Sequence, residues 1–174
     1  MGTKITKGLI QVYTGDGKGK TTAALGQALR ASGHGMAVSI IQFIKGIPTG
    51  EHAFVARYHP FEITQIGKGD CFTKDTTALA SEAKETLEFA REQIASNKYD
   101  LVVLDEIFIA MHIKLISLKE VLELIDNKPE SVELILTGRN APQEIIDRAD
   151  LVTEMRLIKH PFNAGFPGRK GIEF

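Results

Sequence analysis

The nine residues Thr14-Gly15-Asp16-Gly17-Lys18-Gly19-Lys20-Thr21-Thr22 decide the reading of this chain. They follow a short apolar, β-prone run at residues 9–14. They precede a segment, residues 21–32, in which Ala24, Leu25, Ala28 and Leu29 fall on one helical face. Strand, glycine turn and helix in that order form the context of a phosphate-binding loop. Gly15, Gly17 and Gly19 allow the backbone to turn with its amides inward. The helix behind them offers unpaired N–H groups and the positive end of its dipole. Lys20, expected at the surface, reaches phosphate oxygens, and Thr21 offers its hydroxyl to a magnesium ion. Each charge-assisted hydrogen bond contributes roughly 1.5–3 kcal/mol. The usual pattern opens on glycine where this sequence has Thr14. The plain alternative is a glycine turn that binds nothing.

Outward from the loop, strands and helices alternate. Residues 37–43 predict a second strand, 44–50 a glycine- and proline-containing loop, 51–58 a short helix and 62–66 a third strand. Residues 67–76 are polar and read as a loop. A long helix over 77–96 carries Ala83, Leu87, Ala90 and Ile94 at helical spacing. Residues 101–105 are a strand ending in an acid. Helix 117–127 opens with Ser117 and Glu120 as a capping box. Strand 133–137, helix 142–149 and strand 151–157 follow, and the chain is rich in glycine and proline from Lys159 onward. This pattern predicts one α/β domain over residues 1–174, a mostly parallel sheet flanked by helices on both faces. Right-handed crossovers gather the carboxyl ends of the strands at one edge, where ligands of such sheets bind.

Composition narrows the setting. The net charge of −1 leaves no basic footprint for nucleic acid. The single cysteine, Cys71, permits no internal disulfide and suits a reducing cytoplasm. The opening MGTKITK lacks the apolar core and cleavage site of a signal peptide. No apolar stretch approaches the roughly 18 residues that span a bilayer, so no membrane association is expected.

Asp105 and Glu106 end the apolar run Leu101-Val102-Val103-Leu104. A strand-end acid beside a phosphate loop holds Mg²⁺ directly or through water. Glu106 is the expected ligand and Asp105 its support; a solvated acidic pair is the alternative. Arg139 follows a strand end on the ligand edge. Lys45 and Glu51 flank the loop after the second strand, and read equally well as ligand contacts or as solvated charges.

Several segments in order carry a family resemblance: TGDGKGKTTAALG (Thr14 to Gly26), GHG (Gly33 to Gly35), QFIKG (Gln42 to Gly46), LDEI (Leu104 to Ile107), TGRNAP (Thr137 to Pro142), ADLVTEMR (Ala149 to Arg156), KHPF (Lys159 to Phe162) and GIEF (Gly171 to Phe174). Together they resemble the P-loop type of corrinoid adenosyltransferase, which has a recombinase-like P-loop NTPase fold. The resemblance implies that Co(I) of a corrinoid attacks the 5′ carbon of ATP and expels triphosphate whole, in adenosylcobalamin biosynthesis or salvage. ATP and the corrinoid are then substrates and Mg²⁺ the metal. Lys20 and Lys18 would be the catalytic cations. Thr14, Gly15, Asp16, Gly17, Lys18, Gly19, Lys20, Thr21, Thr22 and Arg139 would bind the substrates; Thr21, Glu106 and Asp105 would serve the metal. The resemblance also implies a homodimer and a flavin-type reductase as electron donor. The family displaces the lower axial ligand of cobalt with apolar side chains. In the matching segment Cys71-Phe72-Thr73-Lys74-Asp75, Phe72 keeps that wedge. Lys74 stands where the family has tryptophan, and the chain has no tryptophan. His160 in KHPF is a candidate to line the site. Two other readings use the same residues: an ATPase or kinase attacking the γ-phosphate, and a corrinoid- or nucleotide-binding sensor or delivery module without turnover.

Overall fold

Successive side chains of a strand point to opposite faces of the sheet, and here both faces are apolar. In β4 (Leu101–Asp105), Leu101 and Val103 enter one core cluster, Val102 and Leu104 the other. β1 (Ile10–Thr14), β2 (Val38–Gln42) and β5 (Glu133–Thr137) divide in the same way. Tyr13, Ile40 and Ile135 lie on the first side, and Val12, Ile41, Leu134 and Leu136 on the second. Burial on both faces is why these segments read as continuous apolar runs. The computed structural model describes residues 5–67 and 75–173; Cys71, Phe72 and Lys74 lie outside them.

Among the described residues, six strands run parallel in the order β3-β2-β4-β5-β1-β6, with β3 (Glu62–Gln65) and β6 (Leu151–Glu154) at the edges. Among the described residues, α1 (Lys20–Gly33) is the one helix of the first core cluster, through Ala24, Ala28 and Ala31. Small residues at these positions let the helix lie close to the sheet. The second face is packed by α3 (Thr76–Ala95), α4 (Ile107–His112), α5 (Leu118–Asp126) and α6 (Gln143–Ile146). α2 (Gly50–Tyr58) lies beside β3.

The helix starts follow capping chemistry. Asp75 Oδ1 accepts from the amides of Thr77 and Ala78 at 2.7 and 3.0 Å, which begins α3 one residue before the expected position. The capping box forms as expected: the Ser117 amide donates to Glu120 Oε2 at 2.8 Å, and the Glu120 amide to Ser117 Oγ at 3.3 Å.

Three elements depart from the sequence expectation. β6 stops at Glu154 because Met155 turns to support the phosphate loop, its carbonyl accepting from Gly17 N at 2.6 Å. α6 has four residues. α4 was not expected, and its residues follow β4 without a change of hydrophobic period.

Leu87 is buried between α3 and the sheet, 1% exposed. Leu87→Ala is expected to lower unfolding free energy by about 2–5 kcal/mol, read as a lower urea midpoint, with ATP affinity of the folded protein unchanged. A midpoint within error of wild type would show that this contact surface is not packed as described.

Candidate active site

The site grows from the last residues of the strands. Gln65 ends β3, Gln42 ends β2, Asp105 ends β4 and Thr137 ends β5. Parallel register sets Gln65 beside Gln42 and Gln42 beside Asp105. Gln65 Nε2 donates to Gln42 Oε1 at 2.9 Å, and Gln42 Nε2 donates to Asp105 Oδ2 at 3.0 Å. From the other side, Thr137 Oγ1 donates to Asp105 Oδ1 at 2.8 Å. The Thr21 hydroxyl, in the first turn of α1, donates to the same oxygen at 2.8 Å. Lys45 Nζ completes the set, 2.7 Å from Oδ2. Asp105 is 0% exposed, so its charge depends on these donors.

The phosphate loop sits at the end of β1. Its glycines are needed for close approach: a Cβ on Gly15 or Gly17 would fall 2.5 or 2.6 Å from the carbonyl oxygen of Met155. Lys20 is not at the surface as expected; it is 7% exposed, and its Nζ donates to Gly17 O at 2.8 Å. The Gly17 carbonyl offers the ammonium a partner inside the loop. Burial lowers the Lys20 pKa, and the Glu106 carboxylate is the largest opposing influence. Thr14 and Gly15 support the loop from behind. Thr14 Oγ1 accepts from Ala141 N at 3.1 Å, and neither residue lines the pocket.

Glu106 caps α4 in the left-handed conformation, φ 62°. Its amide donates to Thr137 Oγ1 at 3.0 Å, which turns its side chain away from the strand row. Its Oε2 is buried without a hydrogen-bond partner. Burial, and then the Asp105 charge, push its pKa up. A buried carboxylate oxygen with no donor, on a residue that lines the same pocket as Thr21, fits a hard cation. Among the described residues no three His, Cys, Asp or Glu side chains converge as in an all-protein metal cage.

Residues 16–22, Lys45, Glu51, Glu106 and Arg139 line a pocket of about 580 Å³. Arg139, an exposed side chain, lies 3.9 Å from Asp16. His160 also lines it, as the sequence suggested. The C-terminal segment closes one side. Lys18 Nζ donates to Ile172 O at 2.9 Å and to Glu173 Oε1 at 3.0 Å. The sequence reading missed Gln42, Gln65 and Thr137. Of the three, Thr137 carries a signal, a polar residue ending the apolar run Leu134-Ile135-Leu136; Gln42 is followed by Phe43 and Gln65 ends the mixed segment Glu62-Ile63-Thr64.

A parallel sheet with this loop, this buried strand-end acid and a pocket on the carboxyl edge defines a P-loop nucleotide-binding protein. Residues 6–174 match the profile of the family described as ATP:corrinoid adenosyltransferase BtuR/CobO/CobP. The chain belongs to that family. It is 42% identical over 173 residues to a corrinoid adenosyltransferase of Sinorhizobium sp., covering 97% of this chain and 81% of that protein. It is 41% identical over 172 residues to a corrinoid adenosyltransferase of Pseudomonas aeruginosa, covering 97% and 84%. The corrinoid adenosyltransferase of Escherichia coli K12 is 38% identical over 172 residues, covering 97% and 86%.

The raised pKa of Glu106 has a sign. The unfolded chain releases this proton at lower pH than the folded one, so stability falls as pH rises out of the ordinary carboxylate range. Glu106→Gln lacks that loss. At neutral pH the ligand-free variant should melt higher than wild type, by about 2–4 °C per kcal/mol recovered, while needing more Mg²⁺ for half-maximal ATP binding. A lower melting point with an unchanged Mg²⁺ requirement would remove Glu106 from the metal site.

Proposed function

We propose that this protein transfers the 5′-deoxyadenosyl group of ATP to Co(I) of a corrinoid and releases triphosphate. The observation that carries this reading is the joining of Lys20, Thr21 and Glu106 at one pocket, with Asp105 bonded to Thr21 behind it, in a chain of this family. The cobalt lone pair forms the bond to C5′, the C5′–O5′ bond breaks, and its electron pair leaves with triphosphate. No proton moves from the nucleophile, so no general base is required.

The protein's task is to bind and to neutralise. Residues 16–22 surround the triphosphate with loop amides and the hydroxyls of Thr21 and Thr22; Thr14 and Gly15 set the loop's shape. Lys20 and Lys18 meet the negative charge that grows on the leaving group. Both exchange an existing partner to do so, Gly17 O for Lys20 and the C-terminal segment for Lys18. Thr21 and Glu106 would hold the metal, and Asp105 would orient Thr21 and meet the metal or a water of its shell. When bound, Mg²⁺ adds positive charge at the triphosphate. Arg139 closes the nucleotide side. Phe72 is assigned to the corrin face from its place in the sequence.

The same reading includes a cytoplasmic setting, a flavin-type reductase as electron source, no nucleic-acid partner and a homodimer. The single cysteine supports the reducing compartment, and no helix of the described residues is long and apolar enough to cross a membrane. Edge strand β6 and the residues after it expose Leu151, Val152, Leu157 and Ile158, which favours burial against a second copy.

The test is a single turnover with chemically reduced cobalamin and ATP. Adenosylated corrinoid and intact triphosphate should form in equal amounts. Phosphate with ADP would instead place the attack at the γ-phosphate. Lys20→Ala should slow the transfer about 100- to 1,000-fold with the fold retained by circular dichroism. Near wild-type turnover at saturating ATP would deny Lys20 its role.

A further inference from the structure

Lys45 is the lysine that the sequence leaves open between ligand contact and solvated loop. Its side chain is 27% exposed, and its ammonium is in contact with the fully buried Asp105. A carboxylate offers about four lone-pair directions. At Asp105 all are taken, by Thr21, Thr137, Gln42 and Lys45. Three of these donors are neutral, and Lys45 is the charged one. A metal, or a water in its shell, can reach Asp105 only by replacing a donor.

The four donors are not equally replaceable. Thr137 and Gln42 end strands, and each is held by a further hydrogen bond, from Glu106 N and from Gln65 respectively. Thr21 serves the metal itself. Lys45 comes from the loop after β2, carries positive charge, and is repelled by any cation entering beside it. The loop is shaped to aim it: Ile44 is β-branched and sits at φ 60°, a left-handed conformation that such residues rarely adopt.

We propose that Lys45 is a positioning residue: it stands at Asp105 in place of the metal in the free protein, and yields that carboxylate when Mg²⁺ enters with the triphosphate. This rests on the metal reading above. The free site is thereby charge-balanced without metal, and the loop bearing Lys45 is coupled to nucleotide occupancy. Lys45 and Glu51 line the same pocket, so the released ammonium stays beside the triphosphate.

The experiment uses Lys45→Met and Lys45→Gln. The glutamine keeps a donor without charge and guards against loss of the fold. Thermal melting without ligand and calorimetric ATP binding at stepped Mg²⁺ concentrations are the readouts. Lys45→Met should melt about 3–6 °C lower than wild type. Both variants should need about fivefold less Mg²⁺, or less still, for half-maximal ATP binding. An unchanged or increased Mg²⁺ requirement in both variants overturns the proposal while wild-type binding still depends on Mg²⁺. Wild-type ATP binding that ignores Mg²⁺ overturns the metal reading and this proposal together.

Discussion

One buried carboxylate organises the ligand edge. Asp105 is fully buried at the end of β4, and an ionised carboxylate there is tolerated only when its oxygens are bonded. Its partners come from β2, β5, the first turn of α1 and the loop after β2. Satisfying that one charge therefore fixes the positions of four segments relative to β4. The phosphate loop precedes Thr21 directly, so its place over the sheet follows from the same bond. Thr137 relays the constraint: it donates to Asp105 and accepts from the Glu106 amide. That second bond ties down the amide of Glu106, a left-handed residue that lines the pocket.

The chain turns sharply as it leaves this edge. Left-handed or otherwise positive φ angles follow β1 at Gly15, β2 at Ile44, β4 at Glu106 and β5 at Gly138 and Asn140. For non-glycine residues such conformations cost on the order of 1–3 kcal/mol each. They persist where neighbouring bonds over-determine them. Glu106 has its amide bonded to Thr137, and Ile44 lies between buried Phe43 and the bonded Lys45. Burying Glu106 Oε2 without a partner is a further cost of the free state. Folding carries these penalties on the edge where substrate binds, and the two apolar faces of the sheet supply the stability that offsets them.

What the sequence revealed was local. The phosphate loop is read from nine adjacent residues. The acid after LVVL is read from one apolar run, and the Ser117–Glu120 cap from a four-residue spacing. What it concealed was non-local. The row from Gln65 through Gln42 to Asp105 and Thr137 exists only once β4 is inserted between β2 and β5, and strand order is not written in any single segment. Lys18 meets Glu173 across 155 positions. α4 escaped because Ile107, Phe108 and Ala110 are all buried, and a helix apolar on so much of its surface shows no amphipathic period. The place of Lys20 in a polar glycine loop predicts a surface side chain, yet the Gly17 carbonyl draws it inward.

The cations around the pocket share a feature that bears on how it selects its ligand. Lys20 holds Gly17 O, Lys45 holds Asp105, Lys18 holds Glu173 and Ile172 O, and Arg139 lies near Asp16. A triphosphate entering here exchanges partners with groups already engaged. Each exchange recovers only the difference between the new bond and the old one, which for hydrogen bonds is a small part of the gross interaction. A single phosphate or carboxylate reaches one or two of these cations and gains little over what it breaks. Under the proposed function, a triphosphate chain along the loop would engage several at once. The pocket can thus be lined with positive charge without becoming a general sink for small anions, and a long polyphosphate would be favoured by the number of exchanges made together.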